Sequence, residues 1–227
     1  MRALILAVPW RPSGSPDRDA AVTYVYSRAE QLEADDVWFV DADPLAPFSR
    51  GRSANMAFEG AAALGEDTVV IVNDADMILP EDSYYRAAEM ARATGTLVVG
   101  FDDYRVLNRG MSQKVYAGAD PFQLPFAHRL KGFSVGGVMA MTVKAWQEVG
   151  GFDPRFVGWG MEDWALAHAS KLVLGPWTRL DGPGVHLFHP DEKNRWPAER
   201  LENERLHARY TACATAAEVR AIRAEVA

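Results

Sequence analysis

Three short apolar runs, each stopping abruptly in a polar cluster, constrain this chain more than any other feature. Residues 3–8 (ALILAV) run into Pro9-Trp10-Arg11, residues 37–40 (VWFV) into Asp41-Ala42-Asp43, and residues 68–72 (TVVIV) into Asn73-Asp74-Ala75-Asp76. An apolar run without polar alternation predicts a strand buried on both faces. Between the runs, Val22, Val25, Tyr26, Ala29 and Leu32 fall at helical spacing within 18–34, and residues 51–64 form a second helical segment. Strand, helix, strand, helix, strand predicts an α/β fold with a parallel sheet. Ligands collect beyond the carboxyl ends of the strands in such sheets, and all three polar clusters fall at those ends.

The second half is less regular. Residues 81–93 read as a helix, with Pro80 ahead and two acids in the first turn, and 96–101 as a strand. Residues 102–134 carry scattered Gly, Pro and charge without a steady period, which predicts a long irregular binding loop or lid. A strand over 137–141, helices over 142–149 and after Glu162, a strand over 185–188 and a helical tail from Trp196 complete the reading.

Composition narrows the class. With 227 residues, 48% of them apolar, and 7 Trp, 10 Phe and 7 Tyr, the chain has ample area for one folded domain. The single cysteine, Cys213, excludes a disulfide framework and a cysteine-based zinc site. No apolar run approaches the roughly 20 residues of a membrane helix, and the start lacks a cleavable signal. The expected location is cytoplasmic, with no membrane partner. A net charge of −7 disfavours broad contact with nucleic acid.

Three constellations could carry chemistry. Asp74 and Asp76, one residue apart at a strand end, can hold a hard divalent cation against phosphate oxygens, or can simply be a solvated turn capping the next helix. His186 and His189 lie three apart at another strand end and can share one metal if the chain turns between them; the plainer alternative is one core and one surface histidine. Two carboxylates with two imidazoles suit Mn²⁺ better than Mg²⁺. The third is residues 150–163, GGFDPRFVGWGMED, in which Gly158 and Gly160 could let Trp159 swing and Glu162-Asp163 open a helix.

That stretch, within GGVMAMTVKAWQEVGGFDPRFVGWGMEDWAL, resembles the C-terminal signature of metal-dependent GT-A glycosyltransferases. The most similar kinds are the β-1,4-galactosyltransferases, chondroitin-polymerising enzymes and polypeptide N-acetylgalactosaminyltransferases. Residues 48–55 through Asp76 resemble the run from a Phe-Asn-Arg motif to an Asp-x-Asp motif, and Val8-Pro9-Trp10-Arg11 resembles an opening Pro-Phe-Arg. The resemblance spans residues 8 to about 194 in family order. It implies a GT-A, Rossmann-like, mixed but mainly parallel sheet flanked by helices. Residues 1–194 would form the catalytic domain, 1–101 its nucleotide-binding half and 102–194 its acceptor and catalytic half, with 195–227 a helical C-terminal extension.

Position by position, the resemblance implies that Pro9, Trp10 and Arg11 flank uracil and diphosphate, that Phe48 contacts uracil, and that Arg50 contacts phosphate. Asp74 would lie near the donor sugar or ribose, Asp76, His186 and His189 would hold Mn²⁺ (Mg²⁺ being the alternative), and Trp159 would be the mobile-loop tryptophan. Of the pair Glu162 and Asp163, Asp163 is the expected base. Ser49 stands where the family has Asn, which is expected to loosen the nucleotide loop, and Trp164 stands where further acids are usual. Without the anchor, stem and disulfides of Golgi members, the chain is more like bacterial or phage-encoded catalytic domains.

The function implied is transfer of a hexose or N-acetylhexosamine from a UDP-sugar to an acceptor hydroxyl, with inversion. The acceptor stays open among glycan, protein, small molecule and modified DNA base. The alternatives are a retaining transferase of the same fold, a sugar-nucleotide or carbohydrate-binding module without catalysis, and a nucleotidyltransferase using Asp-x-Asp for Mg²⁺.

Overall fold

The computed structural model describes residues 3–132, 134–158, 160–190 and 197–226. In chain order the first half contains β1 (Leu4–Pro9), α1 (Pro16–Ala29), β2 (Asp36–Val40), α2 (Arg50–Ala62), β3 (Val69–Asn73), β4 (Met77–Ile78), α3 (Glu81–Thr94) and β5 (Val98–Val99). The second half contains β6 (Asp103–Val106), α4 (Arg109–Tyr116), β7 (His128–Lys131), β8 (Val138–Thr142), α5 (Val143–Val149), α6 (Glu162–Leu174), β9 (Thr178–Arg179), β10 (Pro183–His186), α7 (Pro197–Ala212) and α8 (Ala216–Ala224).

A six-stranded sheet of order β2-β1-β3-β8-β5-β9 forms the centre. β1 lies between β2 and β3 and is parallel to both, with Leu6 opposite Val37 on one side and Ile71 on the other. β8 enters antiparallel between β3 and β5, and β9 returns parallel to β5. The sheet is therefore mixed but mainly parallel. Its central strands β1, β3 and β8 are buried along their whole lengths, as runs without polar alternation require. α2 packs Ala54, Ala57, Phe58 and Ala61 into the core, and Phe58 stacks on Trp146 at 5.2 Å between ring centroids.

Local chemistry sets the helix ends. Pro16 occupies the start of α1, where a missing N–H costs nothing. The helix stops at Ala29, short of the expected 34, and Asp35 then turns its carboxylate to the Leu4 N–H at 2.7 Å. Gly95 ends α3 in the left-handed region at φ 64°, where glycine has no Cβ to clash.

A second sheet, β4-β10-β6-β7, stands beside the first. It revises the reading of 102–134: this stretch holds β6, α4 and β7 instead of one irregular loop. Its strands are four residues long with charges on the outer faces, too short for a hydrophobic period to show. Arg105 and Arg129 of neighbouring strands both bind the buried Asp103, which replaces apolar patterning as the register signal. β10 also ends earlier than expected, at His186, although the Leu187 N–H still bonds the Asp76 carbonyl at 2.8 Å in the register that pairs His186 with Met77.

The C-terminal helices share the main core, to which they give Leu206, Tyr210, Val219 and Ile222. Among the described residues, no helix is long and apolar enough to cross a membrane.

Candidate active site

The end of β3, the start of α2, the start of α6 and the end of β10 bring their polar side chains together, with the end of β1 alongside. The acids fall into two groups. In the first, Asp76 follows β3 while His186 ends β10, and the pairing of His186 with Met77 brings the two elements together. His189 Nε2 lies 3.0 Å from one Asp76 oxygen and His186 Nε2 lies 3.6 Å from the other. The three side chains can each present a ligand atom within 4.8 Å of the others. Burial opposes ionisation of Asp76, but the charges of His186 and His189 outweigh it and hold the carboxyl well below its usual range. Burial lowers His186; for His189 burial also pulls downward, but the hydrogen bond to Asp76, the charge of Asp76 and the Pro190 carbonyl together outweigh it and raise it. His186 Nδ1 is buried without a hydrogen-bond partner. One carboxylate and two imidazoles facing a common point, with His186 favoured in its neutral form, fit a divalent transition ion.

The second group surrounds Arg50. Its Nε donates to Asp74 at 2.5 Å, its Nη1 lies 3.7 Å from Glu162, and its guanidinium stands 5.8 Å from the Phe152 ring centre. Both Nη atoms are buried without a hydrogen-bond partner, so the fork keeps donors for a ligand oxygen. Burial works against the charge of Arg50, yet Asp74, Glu162 and Asp163 together hold it protonated. Burial pushes Asp74 up to about 6 despite Arg50, with Asp76 and Asp163 adding to the rise. Burial and then the charge of Asp163 push Glu162 up to about 7, with Arg50 opposing.

Asp163 sits in the first turn of α6, where its Oδ1 accepts from the Trp164 N–H at 2.8 Å. Its other oxygen lies over Gly136, where an added Cβ would stand 2.1 Å from Oδ2. Glycine at 136 thus leaves the space the carboxylate occupies. Met161, which leads into α6, has φ 78°, and among the described residues it is the one non-glycine in the left-handed region. Trp159 lies outside the described residues; Gly158 and Gly160 on either side have φ 73° and 96°.

Along the other wall, Pro9 closes β1 and the Trp10 N–H bonds the Val40 carbonyl at 3.1 Å. Arg11 forms a two-pronged pair with Asp41 at 2.6 and 2.7 Å, donates to the carbonyls of Ala46 and Asp43, and stands 5.6 Å from the Phe48 ring centre. Arg11 and Arg50 are therefore in different settings: Arg11 is matched by the turn after β2, and Arg50 faces the carboxylates. Ser49 does not loosen its loop. Its hydroxyl accepts from the Arg52 N–H at 3.2 Å to cap α2 and donates to the Phe156 carbonyl at 2.8 Å, while Gly158 N–H bonds the Phe48 carbonyl at 3.0 Å.

Several contributors escape a reading by residue type. The Tyr104 ring packs 5.7 Å from that of His186, and its phenol is pushed up by burial and by Asp76, Asp74 and Asp163. Ser112 of α4 accepts from the Phe188 N–H at 2.9 Å, between the two histidines. Burial lowers His207 of α7, with the charge of Asp163 opposing. All three belong to segments whose partners come from elsewhere in the chain, and no motif marks them.

Residues 114–182 match the family described as the N-terminal domain of galactosyltransferase. The chain is 28% identical to β-1,4-galactosyltransferase 5 of Danio rerio over 145 residues, which covers 63% of this chain and 29% of that relative. The chain thus spans less than a third of the length of the curated relative it matches. Among solved structures, GalNAc-T7 with UDP, GalNAc and Mn²⁺ superposes with a TM-score of 0.53 at 13% identity, covering 93% of this chain and 48% of that one. The catalytic domain of Drosophila β-1,4-galactosyltransferase 7 in complex with xylobiose gives 0.51 at 16% identity, covering 79% and 65%. Glucosyl-3-phosphoglycerate synthase of Mycobacterium tuberculosis, in complex with Mn²⁺, UDP-glucose and phosphoglyceric acid, gives 0.50 at 14% identity, covering 92% and 78%. The fold is GT-A.

Proposed function

We propose that this chain is a divalent-metal-dependent glycosyltransferase that moves a hexose or N-acetylhexosamine from a UDP-sugar to an acceptor hydroxyl, with inversion. The observation that carries the reading is the juxtaposition of two groups: Asp76 with two imidazoles, and Arg50 with Asp74, Glu162 and the charge of Asp163. A binding module would use the Arg50 donors as well, but it has no need of a base at Asp163. The galactosyltransferase match across 114–182, which contains Gly136 and Asp163, supports it further.

Asp76, His186 and His189 would hold Mn²⁺, with Mg²⁺ less suited to two nitrogen ligands. Such an ion supplies charge neutralisation to a diphosphate leaving group. The wall formed by Pro9, Trp10, Arg11 and Phe48 is assigned to the nucleotide, and Trp159 to the covering loop. Arg50 offers its two free N–H forks to donor oxygens, and Asp74, held by Arg50 Nε, accepts from a sugar or ribose hydroxyl. Asp163 takes the acceptor proton as that oxygen forms its bond to the anomeric carbon; the bond to the diphosphate oxygen breaks and UDP leaves with the electron pair. A base on the face opposite the leaving group gives one displacement and an inverted centre.

Release of UDP from a panel of UDP-sugars with Mn²⁺ and candidate acceptors tests the activity. Asp163→Asn is expected to lower transfer at least a hundredfold while donor binding by calorimetry stays within a few-fold of wild type. A fully active Asp163→Asn enzyme would remove the base assignment, and a retained anomeric configuration by NMR would remove the single displacement.

A further inference from the structure

Asp76 sits in a turn that must be held rigidly if one carboxylate is to meet two histidines. The rigidity comes from a buried side chain that touches none of them. Asn73, fully buried at the end of β3, donates through Nδ2 to the carbonyls of Asp74 (2.8 Å) and Met77 (3.0 Å), spanning the turn from beneath. Its Oδ1 accepts from the Tyr84 hydroxyl at 3.0 Å, and that hydroxyl accepts from the Leu79 N–H at 3.3 Å. Tyr84 lies in the first half of α3 and is 6% exposed, so the chain of bonds is shielded from water. On the far side of the turn, the Asp76 carbonyl accepts from Leu187 N–H at 2.8 Å, between His186 and His189. A continuous path therefore runs from α3 through Asn73 to the backbone that carries Asp76 and on to the histidine segment.

We propose that Asn73 and Tyr84 are positioning residues that set the metal affinity of the Asp76–His186–His189 cluster. The inference rests on the reading of that cluster as a metal centre. Without the Tyr84 hydroxyl, the Asn73 carboxamide loses the bond that fixes its rotation, and the two carbonyls of the turn lose a fixed donor. Asp76 then samples positions in which its oxygens no longer face both imidazoles. Partners behind a ligand typically alter metal affinity by 10–100-fold.

The test is the dissociation constant of Mn²⁺, read by electron paramagnetic resonance of the free ion with no nucleotide sugar and no turnover. Tyr84→Phe keeps the ring and removes one oxygen; the expected result is a constant raised about tenfold. Asn73→Ser, which cannot span the turn, is expected to raise it further. Tyr85→Phe is the control, because the neighbouring hydroxyl accepts from Glu33 N–H at 2.7 Å, away from the turn. It should leave the constant within twofold of wild type. If Tyr84→Phe binds Mn²⁺ like wild type, or if Tyr85→Phe weakens it equally, the positioning role is overturned while the metal centre stands. If the wild-type chain itself binds no Mn²⁺, the metal centre is overturned and this role with it.

Discussion

Glu162 and Asp163 are adjacent in sequence, yet their surroundings separate them. Glu162 is buried against Arg50, and its carboxyl is pushed up to about 7 by burial and by Asp163, whereas one Asp163 oxygen accepts from the Trp164 N–H and the other lies over Gly136. The folded-state value of Glu162 exceeds its ordinary 4.5, so protonation is linked to folding: its contribution is fully present below pH 4.5 and is lost as pH rises through about 7. Glu162→Gln mimics the protonated form. In metal-free urea unfolding it is expected to match wild type near pH 4.5 and to exceed it by roughly 3 kcal/mol above pH 7. Equal stability at both pH values would place the Glu162 carboxylate in contact with water instead of in this cluster. At this scale the sequence was legible where chemistry travels with residue type, since Asp76, His186 and His189 do converge; the pairing of Arg50 with Asp74 and Glu162 was not, because the sequence marks Arg50 only as a phosphate contact. Asn73, Tyr84 and Ser112 were not legible, because an amide, a phenol or a hydroxyl acquires its task only from what folds against it.

Elements with a long apolar period were readable and short ones were not. β1, β3 and β8 announce themselves because both of their faces are buried, and α2 and α3 because their apolar residues recur on one face. β6 and β7 are held by Arg105 and Arg129 around Asp103, a cross-strand charge cluster that no periodicity reports. The same holds where α7 meets the segment before α6. Asn203, 2% exposed, accepts from Val157 N–H at 3.2 Å and donates to the Val157 carbonyl at 2.9 Å, so one side chain acts as a short strand partner. Asn203→Ala removes the side-chain partner of both half-buried Val157 backbone groups. A loss of about 2 kcal/mol in urea unfolding is expected, and a loss below 0.5 kcal/mol would mean that water replaces the carboxamide there.

For the whole molecule, the sequence expectation of a C-terminal extension understates how α7 and α8 are joined to the rest. Tyr210 is fully buried and donates to Asp153 at 2.9 Å; Asp153 also binds Arg155, whose other arm reaches Glu225 at 2.9 Å. A chain ending at residue 196 would open the core around Phe156 and Leu166, and is expected to bind a hydrophobic dye and to lose its cooperative thermal transition; an intact transition would make the two helices a separate unit. The placing of β8 has a consequence in time. β3 waits beside β1 for an antiparallel neighbour that lies about seventy residues further along, since Val70 pairs with Met141 and Val72 with Met139. During synthesis, then, the βαβαβ half can emerge and pair with itself while the inner edge of β3 stays open. The β3 edge is covered only after Thr142 has left the ribosome, and the site is complete only after His189. The centre of the sheet is thus filled late, and the surface at risk of joining a neighbouring chain is, for that interval, the edge that ends beside its own active site.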